Sequence, residues 1–257
     1  MDRLTYFEPP QPTPRGVILV IHGMNNHAGM MDPLIRVVNG CGFVGARLTL
    51  AGHDCIPSTK FDGSLNCWLD DVQCAYKNIV ERYPNAKVSG LGFSLGGALL
   101  VASVDQNTAI RFEKLILLAP AIRLRWYLRL LQPFCFLARF KYSVPNFVPA
   151  AYRTYRFSPV TSYASTSDVV KGVTCLKNPD RFSATKVLLA MSPKDGLLHL
   201  SGMPNWLRTN HLAGWELEVL DARPEISKTL NHLVVDQPTL GASEWQKLTK
   251  IIKQFLG

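Results

Sequence analysis

Residues Gly16 to Gly23 read GVILVIHG, an unbroken apolar and β-branched run closed by a histidine and a glycine. A strand with one wet face alternates apolar and polar side chains, whereas a strand without polar positions needs cover on both faces, as in a parallel sheet. That requirement leaves few architectures open. Helices must lie on either side of such a sheet, so strands and helices should alternate along the chain.

The alternation is there. Leu4 to Phe7 reads as a short strand before a proline-rich lead-in, and Met31, Leu34, Ile35 and Val38 fall at helical spacing before the stop signals Gly40 and Gly42. ARLTL (Ala46 to Leu50) is a second core strand, followed by the polar turn AGHD. Ser64 opens an amphipathic helix with Trp68, Val72, Ala75 and Ile79 on one face, ended by Pro84. KVSGLGF, KLILLAPA (Lys114 to Ala121), KVLLAMS (Lys186 to Ser192) and ELEVLDA (Glu216 to Ala222) are further strands. An apolar helix covers Leu95 to Val104, and Ser243 caps a last helix facing inward with Trp245, Leu248, Ile252 and Phe255. The pattern predicts an α/β fold with a doubly wound, mostly parallel sheet.

The interval 122–182 interrupts this order with arginine, proline and aromatics, and is too long for a simple loop. It reads as an inserted cap between two core segments, 1–121 and 183–257. At 257 residues with 47% hydrophobic side chains, the chain can bury one large core, which excludes a disordered protein. The N-terminus lacks the apolar stretch of a signal peptide and no run suits a membrane span, so the expected location is cytoplasmic, with peripheral membrane contact through the cap as an option. The six cysteines (Cys41, Cys55, Cys67, Cys74, Cys135 and Cys175) form no C-x-x-C pair. They read as free thiols, most of them packed in the interior, rather than as zinc ligands.

SGLGFSLGGALL (Ser89 to Leu100) sets Gly92 and Gly96 two residues either side of Ser94, where a buried strand must turn into a helix. A serine exposed on so sharp a turn needs unusual torsions, and flanking glycines relieve the crowding. At the helix N-terminus, unpaired N–H groups favour negative charge, so Leu95 can offer its N–H to an oxyanion. A serine nucleophile needs a base, and the base needs an orienting acid. The base candidate is His232 in TLNHLVVD, with a plain surface-loop histidine as the alternative. The acid candidate is Asp195 in MSPKDGLL, just past a strand end and preferred to Asp221, which also trails a strand. Met24 in HGMNNHAG is the candidate for a second oxyanion donor. His22 and His27 read as positioning that loop, and His53 as a turn residue.

The segments HGMNNHAG, AGHD, SLNCWLDDV, GFSLGG, PKDGLL and NHLVVD resemble the α/β-hydrolase superfamily, and within it the monoacylglycerol lipase, lysophospholipase and carboxylesterase branch. The matches span residues 16 to 121 and 185 to 256. The resemblance implies the same assignment: nucleophile Ser94, acid Asp195, base His232, and oxyanion N–H groups from Met24 and Leu95, with no metal or organic cofactor. The function it implies is a serine hydrolase of carboxylic esters with apolar acyl groups, acting on a lipid-like small molecule. Thioester, amide or peptide hydrolysis by the same triad, or a catalytically silent binding protein of this fold, are the alternatives.

Net charge is +9, and no Asp or Glu occurs from Lys114 to Ser167. That stretch holds Arg123, Arg125, Arg129, Arg139, Lys141, Arg153 and Arg156 beside Trp126, Tyr127, Phe134, Phe136, Phe140, Phe147, Tyr152 and Phe157. Leu124, Leu128 and Leu131 suggest a short amphipathic helix before Pro133. Such a segment suits a lid that meets lipid, or equally a packed cap with a solvated arginine face. No nucleic-acid motif accompanies it.

Overall fold

The computed structural model describes residues 3–54, 63–129, 142–146, 148–227 and 229–257. The strands are β1 (Leu4–Phe7), β2 (Gly16–Ile21), β3 (Phe43–Leu48), β4 (Val88–Phe93), β5 (Lys114–Leu118), β6 (Ser143–Pro145), β7 (Phe157–Pro159), β8 (Lys186–Met191) and β9 (Glu216–Val219). The helices are α1 (Asp32–Gly40), α2 (Leu65–Arg82), α3 (Leu95–Gln106), α4 (Trp126–Arg129), α5 (Val160–Thr174), α6 (Met203–Thr209), α7 (Gln237–Leu240) and α8 (Ala242–Leu256).

Seven strands form one sheet in the order β1-β3-β2-β4-β5-β8-β9. Only β1 runs antiparallel, against β3; the other pairings are parallel. This is the doubly wound α/β sheet that the apolar runs require. Every residue of β2 and β4 is buried, which for a pleated strand means cover on both faces. Helices α2, α3 and α5 pack on one another, and α1 packs on α8. α3 is buried from Leu95 to Asp105, and its apolar circumference fits a helix held between the sheet and α2 and α5. α2 starts where Ser64 Oγ accepts the N–H of Cys67 at 3.2 Å, and buries the stripe Trp68, Val72, Ala75 and Ile79.

Several expectations need correction. β3 begins at Phe43 and ends at Leu48, so the expected strand at 46–50 is shifted towards the N-terminus. Ser243 does not cap α8; Gly241 occupies that position, at φ +84°, without a side-chain bond. Among the described cysteines, Cys67, Cys74 and Cys175 are exposed and Cys41 is half-buried, so the thiols do not fill the core. Leu124 is not helical, since it bridges Leu198 before α4 begins. Leu131, Pro133, Phe134, Cys135, Phe136, Arg139, Phe140, Lys141 and Phe147, like Cys55, lie outside the described residues. Tyr152, one of the aromatics of the interval 122–182, is buried.

Candidate active site

Ser94 sits between β4 and α3 at φ 50° and ψ −113°, a backbone state that L-residues rarely adopt. Its N–H donates to Leu118 O at 2.9 Å, and its carbonyl accepts the N–H groups of Ala98 and Ala121 at 3.1 and 2.9 Å. The two glycines are explained by close approach. A Cβ on Gly92 would lie 2.5 Å from Gly97 N, and one on Gly96 would press on the Ile21 carbonyl oxygen and sit 2.7 Å from that of His22. No side chain fits at either position.

Asp195 follows β8 and is fully buried. Its Oδ1 accepts the N–H groups of Leu197 and Leu198 at 2.7 and 2.9 Å, and its Oδ2 takes the Nδ1–H of His232 at 2.8 Å. A carboxylate only accepts, so the proton lies on Nδ1 and leaves Nε2 to accept from Ser94 Oγ at 2.9 Å. The three side chains thus form one continuous relay. His232 is reached through two successive left-handed residues, Leu230 and Asn231, at φ 53° and 51°. Gly196 N–H donates to Leu230 O at 2.7 Å and joins the acid loop to the histidine loop. Phe93 packs against the imidazole, with ring centroids 5.1 Å apart and the planes tilted by 43°. Asp221 plays no part in this relay: its carboxylate pairs with Lys194 and Arg223, which hold its pKa below the ordinary aspartate value.

The N–H groups of Met24 and Leu95 have no acceptor among the described residues. Two histidines fix the peptides on either side of Met24. His22 Nδ1–H donates to Gly23 O at 2.7 Å, while its Nε2 accepts the Leu50 N–H at 3.2 Å. Because a trans peptide points its C=O and N–H in opposite directions, holding the Gly23 oxygen also aims the Met24 N–H. His53 Nε2 accepts the Asn25 N–H at 2.8 Å, with its Nδ1–H on Ala51 O at 3.0 Å. Both rings therefore work as neutral imidazoles. Burial, reinforced by the neighbouring His53, pushes the His22 pKa well below 6.5. His27 binds Ala151 O at 2.8 Å through its ring.

Sequence reasoning missed a second set of supports. Arg125 Nε donates to the Asp195 carbonyl at 2.6 Å, and Tyr127 OH donates to that of Gly196. Arg125 N–H also donates to Leu197 O at 2.9 Å. The start of the interval 122–182 is thereby tied to the acid loop. These bonds end on main-chain oxygens, which no sequence pattern marks. Among the described residues no group of three or more His, Cys, Asp or Glu side chains could hold a metal ion.

A family model described as serine aminopeptidase, S33, matches residues 12–201. The chain belongs to that family. This α/β-hydrolase is also similar over 119 residues to monoglyceride lipase of Homo sapiens (25% identical, 44% of this chain) and of Mus musculus (24% identical). Those matches cover 37% of the length of the curated relatives. Among solved structures, a soluble variant of monoglyceride lipase from Saccharomyces cerevisiae in complex with a substrate analog aligns with a TM-score of 0.78 at 15% identity, over 98% of this chain and 90% of that one. A monoacylglycerol lipase from Paleococcus ferrophilus aligns at 0.71 and 15% identity, over 98% and 97%. The fold is the α/β-hydrolase fold.

Proposed function

We propose that the chain is a serine hydrolase of carboxylic esters with apolar acyl groups. The observation that carries this reading is the unbroken relay Ser94–His232–Asp195, at 2.9 and 2.8 Å, on a strained strand-to-helix turn. His232 removes the Ser94 proton as Oγ attacks the ester carbonyl, and Asp195 holds the imidazole in the required tautomer. The N–H groups of Met24 and Leu95 meet the oxyanion of the tetrahedral intermediate, where losing one such donor costs ~10²–10³ in rate. His232 then protonates the leaving alkoxide, and a water activated on the same nitrogen releases the acyl group from Ser94.

In this reading the interval 122–182 is the cap, rooted on α2 and α3 through α5. Trp126 and Phe157 are 71% and 51% exposed, and Arg156 lies 5.7 Å from the Phe157 ring. An amphipathic basic surface of this kind suits a monoacylglycerol or lysophospholipid met at a lipid surface. Among the described residues no helix is long and apolar enough to cross a membrane.

The family description favours a second reading, hydrolysis of an aminoacyl amide. An aminopeptidase must recognise a cationic α-amino group, which calls for a carboxylate, and the chain supplies none from Lys114 to Ser167. The ester reading is the better one on that ground. The test is kcat/KM on p-nitrophenyl esters from acetyl to palmitoyl and on aminoacyl p-nitroanilides, with Ser94→Ala beside the wild type. Ester turnover that rises to medium or long chains and vanishes in the variant is the expected result. Turnover of the anilides alone would replace the ester reading with the peptidase one.

A further inference from the structure

The loop that carries Met24 is held from outside the main sheet. Asn25 lies at φ 56°, in the left-handed region that asparagine tolerates better than most residues, and it is 4% exposed. Its main-chain N–H, its carbonyl and its Nδ2 are all engaged. Its N–H donates to His53 Nε2, and its carbonyl accepts the Thr154 N–H at 3.0 Å. Its Nδ2 donates to Ser158 Oγ and reaches Tyr155 O at 3.5 Å. Asn26 pairs with Arg153 in an antiparallel bridge, and its Nδ2 donates to Tyr152 O at 3.2 Å. His27 N–H donates to the same oxygen at 3.1 Å.

The segment on the other side of these bonds is itself anchored twice. Ser158 is fully buried on β7, whose register with β6 pairs it with Val144. Tyr152 OH donates to Asp236 Oδ2 at 2.8 Å, four residues beyond His232. So a strap from Ala151 to Ser158 spans the loop of the candidate oxyanion donor and the segment that follows the candidate base. The Asn25 Nδ2 is shared between the Ser158 hydroxyl and, at 3.5 Å, the Tyr155 carbonyl.

We infer that Asn25 and Ser158 are positioning residues for the oxyanion hole, fixing the Met24 peptide against the β6–β7 ribbon through the Asn25 Nδ2–Ser158 Oγ bond. The inference rests on the serine-hydrolase reading above. A side-chain bond that only stabilised the fold would alter melting and leave the chemistry alone. A bond that aims Met24 N–H acts on the transition state, so it lowers kcat, spares KM and weakens any ligand whose affinity depends on the oxyanion.

The experiment uses wild type, Asn25→Gly, Ser158→Ala, the double variant and Ser158→Thr. Asn25→Gly keeps the left-handed backbone, and Ser158→Thr keeps the hydroxyl. Each is assayed on p-nitrophenyl butyrate and with an aryl trifluoromethyl ketone, which forms a tetrahedral oxyanion on the serine. Part of an oxyanion donor's ~10²–10³ should be lost, so kcat falls about tenfold in either single variant while KM stays within about twofold. The ketone Ki rises by the same factor, the double variant is no worse than a single one, and Ser158→Thr keeps wild-type values. Unchanged kinetics in folded single variants, additive losses in the double, or a kcat loss without a change in Ki would overturn the proposal. Melting curves on the same samples identify unfolded variants, and Ser158→Thr then decides alone: loss of activity with its fold intact counts against the proposal. A wild type without Ser94-dependent turnover overturns the underlying reading as well, which sets that failure apart.

Discussion

At the Gly92–Gly96 turn, backbone packs on backbone: β4 runs into α3 against the carbonyls at the end of β2, with no room for a Cβ. At 122–127, side chains reach to main-chain oxygens of the Asp195 loop, and at 151–152 main-chain oxygens accept from side chains of the Met24 loop. The first region holds Ser94 by excluded volume, which is stiff and indifferent to solvent. The second holds the Asp195 loop and the Met24 loop by individual hydrogen bonds, each worth ~1 kcal/mol net. A mutation in the first should therefore break the fold with the site, while one in the second should detune the site and leave the fold standing.

The largest effect expected from this contrast is on Gly96→Ala. Its methyl group must displace the Ile21 and His22 carbonyls, which are backbone and cannot turn aside. Urea unfolding should show a loss of about 1–3 kcal/mol or more, the usual range for an overpacked core, together with loss of activity. A stable, active Gly96→Ala protein would break the excluded-volume account.

A pH effect on His22 comes next. The folded ring is neutral and its pKa lies well below 6.5, while the unfolded chain takes up a proton near 6.5. Stability from this group is thus complete above pH 6.5 and is lost as pH falls, by up to ~1.4 kcal/mol per pH unit until the folded pKa is reached. Unfolding free energies measured at pH 7.5, 6.5 and 5.5 should decline in the wild type. In His22→Asn that decline should be shallower by about one proton. Equal slopes would mean that the ring does not stay neutral in the fold.

The smallest effect is expected at the acid loop. Arg125→Gln removes the bond that the half-exposed guanidinium makes to the Asp195 carbonyl, worth ~1 kcal/mol net. A fall in kcat of about three- to tenfold with little change in the urea midpoint is expected. A change in midpoint larger than the change in rate would place Arg125 with the rigid region instead.

This contrast also explains what could be read in advance. The turn and the side chains of the Ser94–His232–Asp195 relay are legible because each demands a residue type: no Cβ at 92 and 96, a hydroxyl at 94, an imidazole after the last strand. The sheet is legible because β2 and β4 have no polar position to offer solvent. Arg125, Tyr127 and Ser158 leave no such mark, since their partners are carbonyls that every residue has, or one amide far along the chain. Asn25 leaves no mark either: only its positive φ and its bonds to the strap give it a meaning. The cysteines were misread although a signal existed. Cys67 and Cys74 each precede a buried residue of the α2 stripe, Trp68 and Ala75, and so face outward with the polar side of the helix.

The measurement that tests the central claim most directly is peptide mapping after exposure to a fluorophosphonate, which needs only an activated nucleophile and no knowledge of the substrate. The account expects one adduct, on Ser94, with labelling slowed by about 10³-fold or more in His232→Ala. No adduct on Ser94, or labelling equally fast without His232, would contradict it.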